Sequence, residues 1–156
     1  MKKLIEIIKG IKILSSHGNT NKSINGITDN SKNVKNNFLF FAIEGNDFDG
    51  HNFIEDAISN GSNTIVCTKL PSNLEENISY LLVEDIRESV YNISSNFYGN
   101  PDKKIKIIAV TGTNGKTSIV YFLYQFFKSL DIKVGMLSTI ENRIGNEVLN
   151  AKLTTP

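Results

Sequence analysis

Cysteine is almost absent. Cys67 is the only one in 156 residues, so the chain can form neither an internal disulfide nor a cysteine-based metal site. Cys67 sits in the apolar run "TIVCT", where a small buried side chain is expected and no partner base for a nucleophile is evident. Charge of one sign is lacking too. Seventeen basic residues face sixteen acidic ones, and a net charge of +1 gives no electrostatic case for nucleic acid. The triplet Lys103, Lys104 and Lys106 reads as a solvated lead-in to the next segment. No run approaches the roughly 20 apolar residues of a membrane helix. The opening "MKKLIEIIKG" is interrupted by Glu6 and Lys9, too early for a signal peptide. A cytoplasmic protein without membrane contact is therefore expected.

What is present is an alternation of strand-like and helix-like segments. Leu4, Ile5, Ile7, Ile8 and Ile11 recur at helical spacing and predict a short helix over 2–10, ended by Gly10. Residues 15–37 are polar, with Ile24, Ile27 and Val34 as anchors; they read as loops around a short strand near 24–28, or as partial disorder. "FLFFAI" (38–43), "NTIVCT" (63–68) and "ISYLLV" (78–83) predict buried strands. Helices are predicted over "HNFIEDAISN" and over 86–98, where Ile86, Val90, Ile93 and Phe97 share a face. "GNP" at 99–101 is the strongest break and the expected domain boundary. The alternation before it suits an α/β domain of about 100 residues.

Beyond the break, a strand is predicted at 105–110 and a helix from about 116 to 130. Ile119, Leu123, Phe126, Phe127 and Leu130 form an apolar stripe on that helix, read as core. "KVGMLST" (133–139) predicts another strand, and "ENRIGNEVLN" a hairpin turning at Gly145-Asn146. One strand–helix–strand unit plus a hairpin leaves a sheet short of neighbours, so this second domain reads as truncated.

Between strand and helix lies "IIAVTGTNGKTS" (107–118). A glycine-rich turn opening into a helix lets backbone N–H groups converge on phosphate, aided by the helix N-terminus. Gly112 and Gly115 supply the bends, with Thr113 and Asn114 between them. Lys116 can reach the β- and γ-phosphates and is the candidate catalytic residue; the Thr117 hydroxyl can ligate Mg²⁺, and Ser118 can add a phosphate hydrogen bond. The common pattern G-x-x-x-x-G-K-[ST] would place a glycine where Val110 stands. ATP with Mg²⁺ is the cofactor pair this loop implies.

The run "TGTNGKTS" resembles the shortened phosphate loop T-G-[TS]-N-G-K-[TS]-[TS] of the Mur ligase family, the ATP-dependent amide-forming enzymes of peptidoglycan synthesis. Folylpolyglutamate and cyanophycin synthetases carry similar loops. Residues 27–66 resemble the N-terminal segment of the family's tripeptide-synthetase (MurE-type) branch, usually I-T-x-D-S-R-x-V-x-x-G-D-L-F-V-A-x-x-G followed by D-G-H-x-F. "KVGMLSTI" and the terminal "LTTP" match it as well. Departures stand at Asn30 for Asp, Lys32 for Arg, and Asn36-Asn37-Phe38 for Pro-Gly-Asp. Lysine loses the planar bidentate geometry of arginine, so the loop's substrate contacts are expected to differ in detail.

The resemblance implies an α/β protein with a small N-terminal UDP-sugar-binding domain (1–98) and the truncated start of a P-loop ATP-binding domain (99–156). It implies that Asp29 and Ser31 contact the uridine, that Asn46, Asp47 and Phe48 line the uracil pocket, and that Thr154 and Thr155 bond the muramoyl-peptide or its phosphates. Asp47 and Asp49 read equally well as turn builders and helix cap. His51 reads as part of a helix start and His17 as an unremarkable loop residue. The implied reaction passes the γ-phosphoryl group of ATP to a carboxylate of UDP-MurNAc-L-Ala-D-Glu, and a diamino acid, L-lysine or meso-diaminopimelate, then attacks the acyl phosphate. The family's later catalytic residues and amino-acid-binding domain are expected beyond Pro156, so these 156 residues, expected to be monomeric, should not form the amide bond alone. A non-catalytic UDP-muramoyl-peptide binding module, the MurF-type ligase of the same pathway and a generic P-loop NTPase are the competing readings.

Overall fold

Strand β1 (Lys2–Lys3) runs into helix α1 (Leu4–Ile7), and strands β2 (Ile13–His17), β3 (Ser23–Ile24), β4 (Gly26–Thr28) and β5 (Phe38–Phe41) follow. Next come α2 (Ile54–Ser59), β6 (Ser62–Cys67), β7 (Ser79–Val83) and α3 (Ile86–Tyr98), with short 3-10 turns at Ser31–Asn33, Gly50–Phe53 and Pro101–Lys103. Helix α4 (Lys116–Ser129) and strands β8 (Gly135–Leu137), β9 (Glu141–Ile144) and β10 (Glu147–Asn150) follow. This computed structural model describes residues 1–45, 48–145 and 147–150. They divide into two units, Met1–Lys106 and a second that begins at Ile107. Among the described residues no helix is long and apolar enough to cross a membrane.

The first unit is built on a five-stranded sheet ordered β2-β7-β6-β5-β4. β4, β5, β6 and β7 run parallel, and β2 closes one edge antiparallel to β7. Successive strand residues face opposite sides of a sheet, so an apolar run fills two layers. Leu39 and Phe41 of β5, Val66 of β6, and Leu81 and Val83 of β7 join Leu4 and Ile7 of α1 and Ile86 and Ile93 of α3. Phe40, Ala42, Ile65, Cys67 and Tyr80 join Ile54 and Ala57 of α2 on the other face. Burying each such aliphatic side chain contributes about 1.5–3 kcal/mol. Cys67 is fully buried, as expected, and burial pushes its thiol up to about 11.

Helix α3 has the predicted bounds because both its ends are specified locally. The Asp85 carboxylate accepts from the N–H groups of Arg87 (2.8 Å) and Glu88 (3.0 Å), and Gly99 ends the helix at φ 80°. The following turn is tied back to α3: Ser95 Oγ donates to Asp102 Oδ1 at 2.5 Å and Tyr91 OH to Oδ2 at 3.1 Å.

Several expectations for this unit are corrected. The first helix is only four residues, because Lys2 and Lys3 pair with Ile24 and Ser23 instead. Ile13–His17 is a strand that runs into the stretch from residue 15 read as loop, its pairing supplied by the distant β7. The single strand expected near 24–28 is two, broken at Asn25, whose N–H turns to the Asn37 carbonyl at 2.8 Å.

The second unit holds α4 and a three-stranded antiparallel sheet ordered β10-β9-β8. The hairpin forms as predicted, with Ile144 opposite Glu147; Asn146 lies outside the described residues. Residues 105–110 are not a strand. A strand needs a hydrogen-bonding neighbour, and among the described residues β8, β9 and β10 pair only with one another, leaving Ile107 and Ile108 exposed. The helix stripe is not core either. Ile119, Phe126 and Leu130 are 47%, 57% and 54% exposed, since the small sheet covers only the face bearing Tyr124.

Candidate functional site

Each unit presents a place that the sequence marks for a ligand. In the second unit, Gly112 takes φ 150° and Gly115 φ 77°, conformations open to glycine, and Gly115 occupies the N-cap of α4. No side chain caps this end. The N–H groups of Lys116, Thr117 and Ser118 therefore have no partner within the helix and are available to an anion. Lys116 Nζ folds back over the loop, donating to the carbonyls of Gly112 (2.5 Å) and Thr113 (3.1 Å). Thr117 Oγ1 lies 3.2 Å from Thr139 Oγ1. Thr113, Asn114 and Ser118 are exposed around them. An open hollow of about 420 Å³ adjoins the helix start, lined by Thr117, Ser118, Tyr121, Phe122, Met136 and Glu141. Glu141 is not a free carboxylate: Arg143 Nε donates to its Oε1 at 2.6 Å, and the guanidinium stacks over Tyr121 and Tyr124 at 5.6 and 5.8 Å.

In the first unit, the parallel strands β4, β5 and β6 end side by side. Open parallel sheets bind ligands outside these carboxyl ends. After β4 come Asp29, exposed, and Ser31, 8% exposed, whose carbonyl accepts from Asn60 Nδ2 at 3.1 Å. Asn30, which replaces the aspartate of the resembled pattern, caps the turn Ser31–Asn33, its Oδ1 accepting from Lys32 N–H at 3.0 Å. A neutral amide oxygen suffices for that bond. Asn37 stands where the pattern has glycine and adopts φ 62°. Asparagine tolerates that region best after glycine, and Asn63 Nδ2 holds its side chain at 3.0 Å.

After β5 the chain makes a tongue. Gly45 N–H donates to the Phe48 carbonyl (2.9 Å), Glu44 and Asp49 bridge its base, and Gly50 N–H donates to the Ile43 carbonyl (2.8 Å). Phe48 is 75% exposed. The structure thus brings Asp29, Ser31 and Phe48 to loops at the same sheet edge. Asn46, Asp47, Thr154 and Thr155 lie outside the described residues.

His51 acts where no role was assigned to it. Its Nδ1 lies 2.6 Å from Asp49 Oδ1, and its Nε2 lies 3.3 Å from the backbone nitrogens of Thr68 and Lys69, just past β6. The His51 backbone N–H, first, and then its ring hold the Asp49 carboxyl below the usual carboxylate range. The sequence signal for this arrangement is the triplet Asp49-Gly50-His51 itself.

Residues 23–108 match the family described as Mur ligase family, catalytic domain, and residues 110–156 match the Mur ligase middle domain. The chain belongs to the Mur ligase family. The UDP-N-acetylmuramoyl-L-alanyl-D-glutamate--2,6-diaminopimelate ligase of Phocaeicola vulgatus is 40% identical over 154 residues, covering 99% of this chain and 32% of the relative. The chain thus spans about a third of the length of the curated Mur ligases it matches. A solved UDP-N-acetylmuramoyl-L-alanyl-D-glutamate--2,6-diaminopimelate ligase superposes at a TM-score of 0.74, covering 99% of this chain and 31% of its own; at 22% identity it shows the shared fold. The MurF ligase of Thermotoga maritima, solved in complex with ADP, is 30% identical with a TM-score of 0.52, covering 66% of this chain and 23% of its own.

Proposed function

We propose that the chain is the N-terminal part of an ATP-dependent, cytoplasmic, monomeric ligase that adds a diamino acid, 2,6-diaminopimelate or L-lysine, to UDP-MurNAc-L-Ala-D-Glu through an acyl phosphate. One observation carries the reading: a shortened phosphate loop with Lys116 over its carbonyls shares a chain with a tongue-bordered edge of parallel strand ends. Residues 1–98 are the UDP-sugar domain in this proposal, and 99–156 open the ATP-binding domain.

The donor set fits a triphosphate. Free amides at the start of α4, the Lys116 ammonium and the Thr117 and Ser118 hydroxyls all serve anionic oxygens. Mg²⁺ fits the same place. Among the described residues no group of three or more His, Cys, Asp or Glu is clustered, and a cation that binds through phosphate oxygens and water needs little more than the Thr117 hydroxyl. Bound there, Mg²⁺ would neutralise charge on the phosphates. Lys116 exchanges its bonds to the Gly112 and Thr113 carbonyls for phosphate oxygens and holds the charge that develops during transfer. Asp29, Ser31, Asn46, Asp47 and Phe48 bind the uridine end, and Thr154 and Thr155 the muramoyl-peptide.

Titration calorimetry of the chain with UDP-MurNAc-L-Ala-D-Glu tests this. Saturable one-site heat that persists with UDP alone and is lost with the muramoyl-dipeptide lacking UDP is expected. Equal heats from both ligands, or none, contradict it.

A further inference from the structure

The Asp49-Gly50-His51 triplet joins two loops that the sequence separates by seventeen residues. At Gly50 the two arms of the tongue touch, and a Cβ there would fall 2.5 Å from Ile43 N. Asp49 Oδ1 accepts from the His51 backbone N–H at 2.9 Å and from its ring at 2.6 Å. Placing the ring proton on Nδ1 leaves Nε2 as an acceptor. That lone pair faces the N–H groups of Thr68 and Lys69 and the Thr68 hydroxyl, each at 3.3 Å. The imidazole side chain is only 12% exposed, so these bonds form away from bulk water. A looser tie runs alongside, Lys69 Nζ to Glu44 Oε2 at 3.6 Å across exposed side chains.

We propose that His51 is a positioning residue: its neutral ring, oriented by Asp49, fixes the base of the tongue bearing Phe48 against the end of β6, so that the tongue is preorganised for the uracil of a uridine nucleotide. This rests on the reading of that sheet edge as the UDP end of the site. Ordering a loop before binding removes its conformational cost from the affinity. The ring acts only through the loop and touches no reacting group.

The test compares the wild-type chain with H51F, which keeps a planar aromatic ring and loses both nitrogens, and H51Q, whose side-chain carbonyl can take the Thr68 and Lys69 amides. UDP is the ligand, measured by calorimetry. H51F is expected to weaken UDP about tenfold or more, and H51Q to return it to within about threefold of wild type. Long-range ¹H–¹⁵N NMR of the neutral wild-type ring should show the proton on Nδ1, and the Thr68 and Lys69 amides should exchange slowly in wild type and H51Q. If H51F does not fold, H51Q and the ring spectrum still decide: a proton on Nε2, or fast-exchanging amides in wild type, overturns the proposal. Unchanged UDP affinity in H51F overturns it while leaving the UDP reading intact. A wild-type chain that ignores UDP overturns both.

Discussion

The two units use the same local grammar, an apolar segment, a glycine turn and a helix, with opposite outcomes for their apolar side chains. In the first, Leu39 and Phe41 meet α1 and α3 while Phe40 and Ala42 meet α2, and all four are buried. In the second, the described large apolar residues that are buried are Tyr124 and Met136, and Phe122 is 71% exposed. What survives there is local: the left-handed Gly115 still starts α4, and the hairpin still pairs. A glycine turn that opens a helix is thus specified by its own dozen residues, whereas a sheet and a helix stripe are specified by partners far along the chain.

The sharpest way to break that contrast is truncation in each unit. Phe40→Ala should cost about 3–5 kcal/mol, while Phe122→Ala should stay within about 0.5 kcal/mol, both by urea denaturation. Comparable losses would mean that Phe122 packs as Phe40 does. Glycines come next. Gly50→Ala forces a Cβ into the Ile43 backbone and should cost about 1–3 kcal/mol. Gly115→Ala meets no atom within 4 Å and should lose only about 1–2 kcal/mol, from its φ of 77°.

Acid should act on the first unit through Asp49 and Asp102. Ser95 and then Tyr91 hold the Asp102 carboxyl low by hydrogen bonding, as His51 does for Asp49. A carboxyl depressed in the folded state stabilises fully above its ordinary range, and that contribution is lost as pH falls through the folded value. Denaturation midpoints should therefore drop between neutral pH and about pH 3, and less so in D49N and D102N. The smallest effect is kinetic. Cys67, buried and with its thiol held near 11, should resist a disulfide reagent at pH 8 until urea unfolds the first unit; prompt labelling of the native chain would show the β6 layer open.

How much could be read in advance follows the same line. Helix α3 was legible because Asp85 and Gly99 mark its ends within the segment. The bend at 112–115 was legible because glycines stand at the two positions whose φ values, 150° and 77°, other residues rarely adopt. Strand β2 was not, since "ILSSH" is half polar and becomes a strand only against β7. The strand expected at 105–110 failed for the converse reason: Ile107 and Ile108 have strand character and no neighbour among the described strands. His51 was passed over because its partners, Thr68 and Lys69, adjoin it only once β5 and β6 pair in parallel. The resemblance named the loops that carry the candidate uridine contacts; which bonds hold those loops had to come from the structure.

Hydrogen exchange of the 156-residue chain, with and without UDP, tests the account most directly. Strands β5, β6 and β7 should exchange slowest, and residues 107–115 fastest. UDP should slow the amides of Ser31, of Ile43–Gly45 and Phe48–His51, and of Thr68 and Lys69, leaving Gly112–Ser118 unchanged. Protection by UDP confined to Gly112–Ser118, or absent from the tongue and the β6 end, would contradict it.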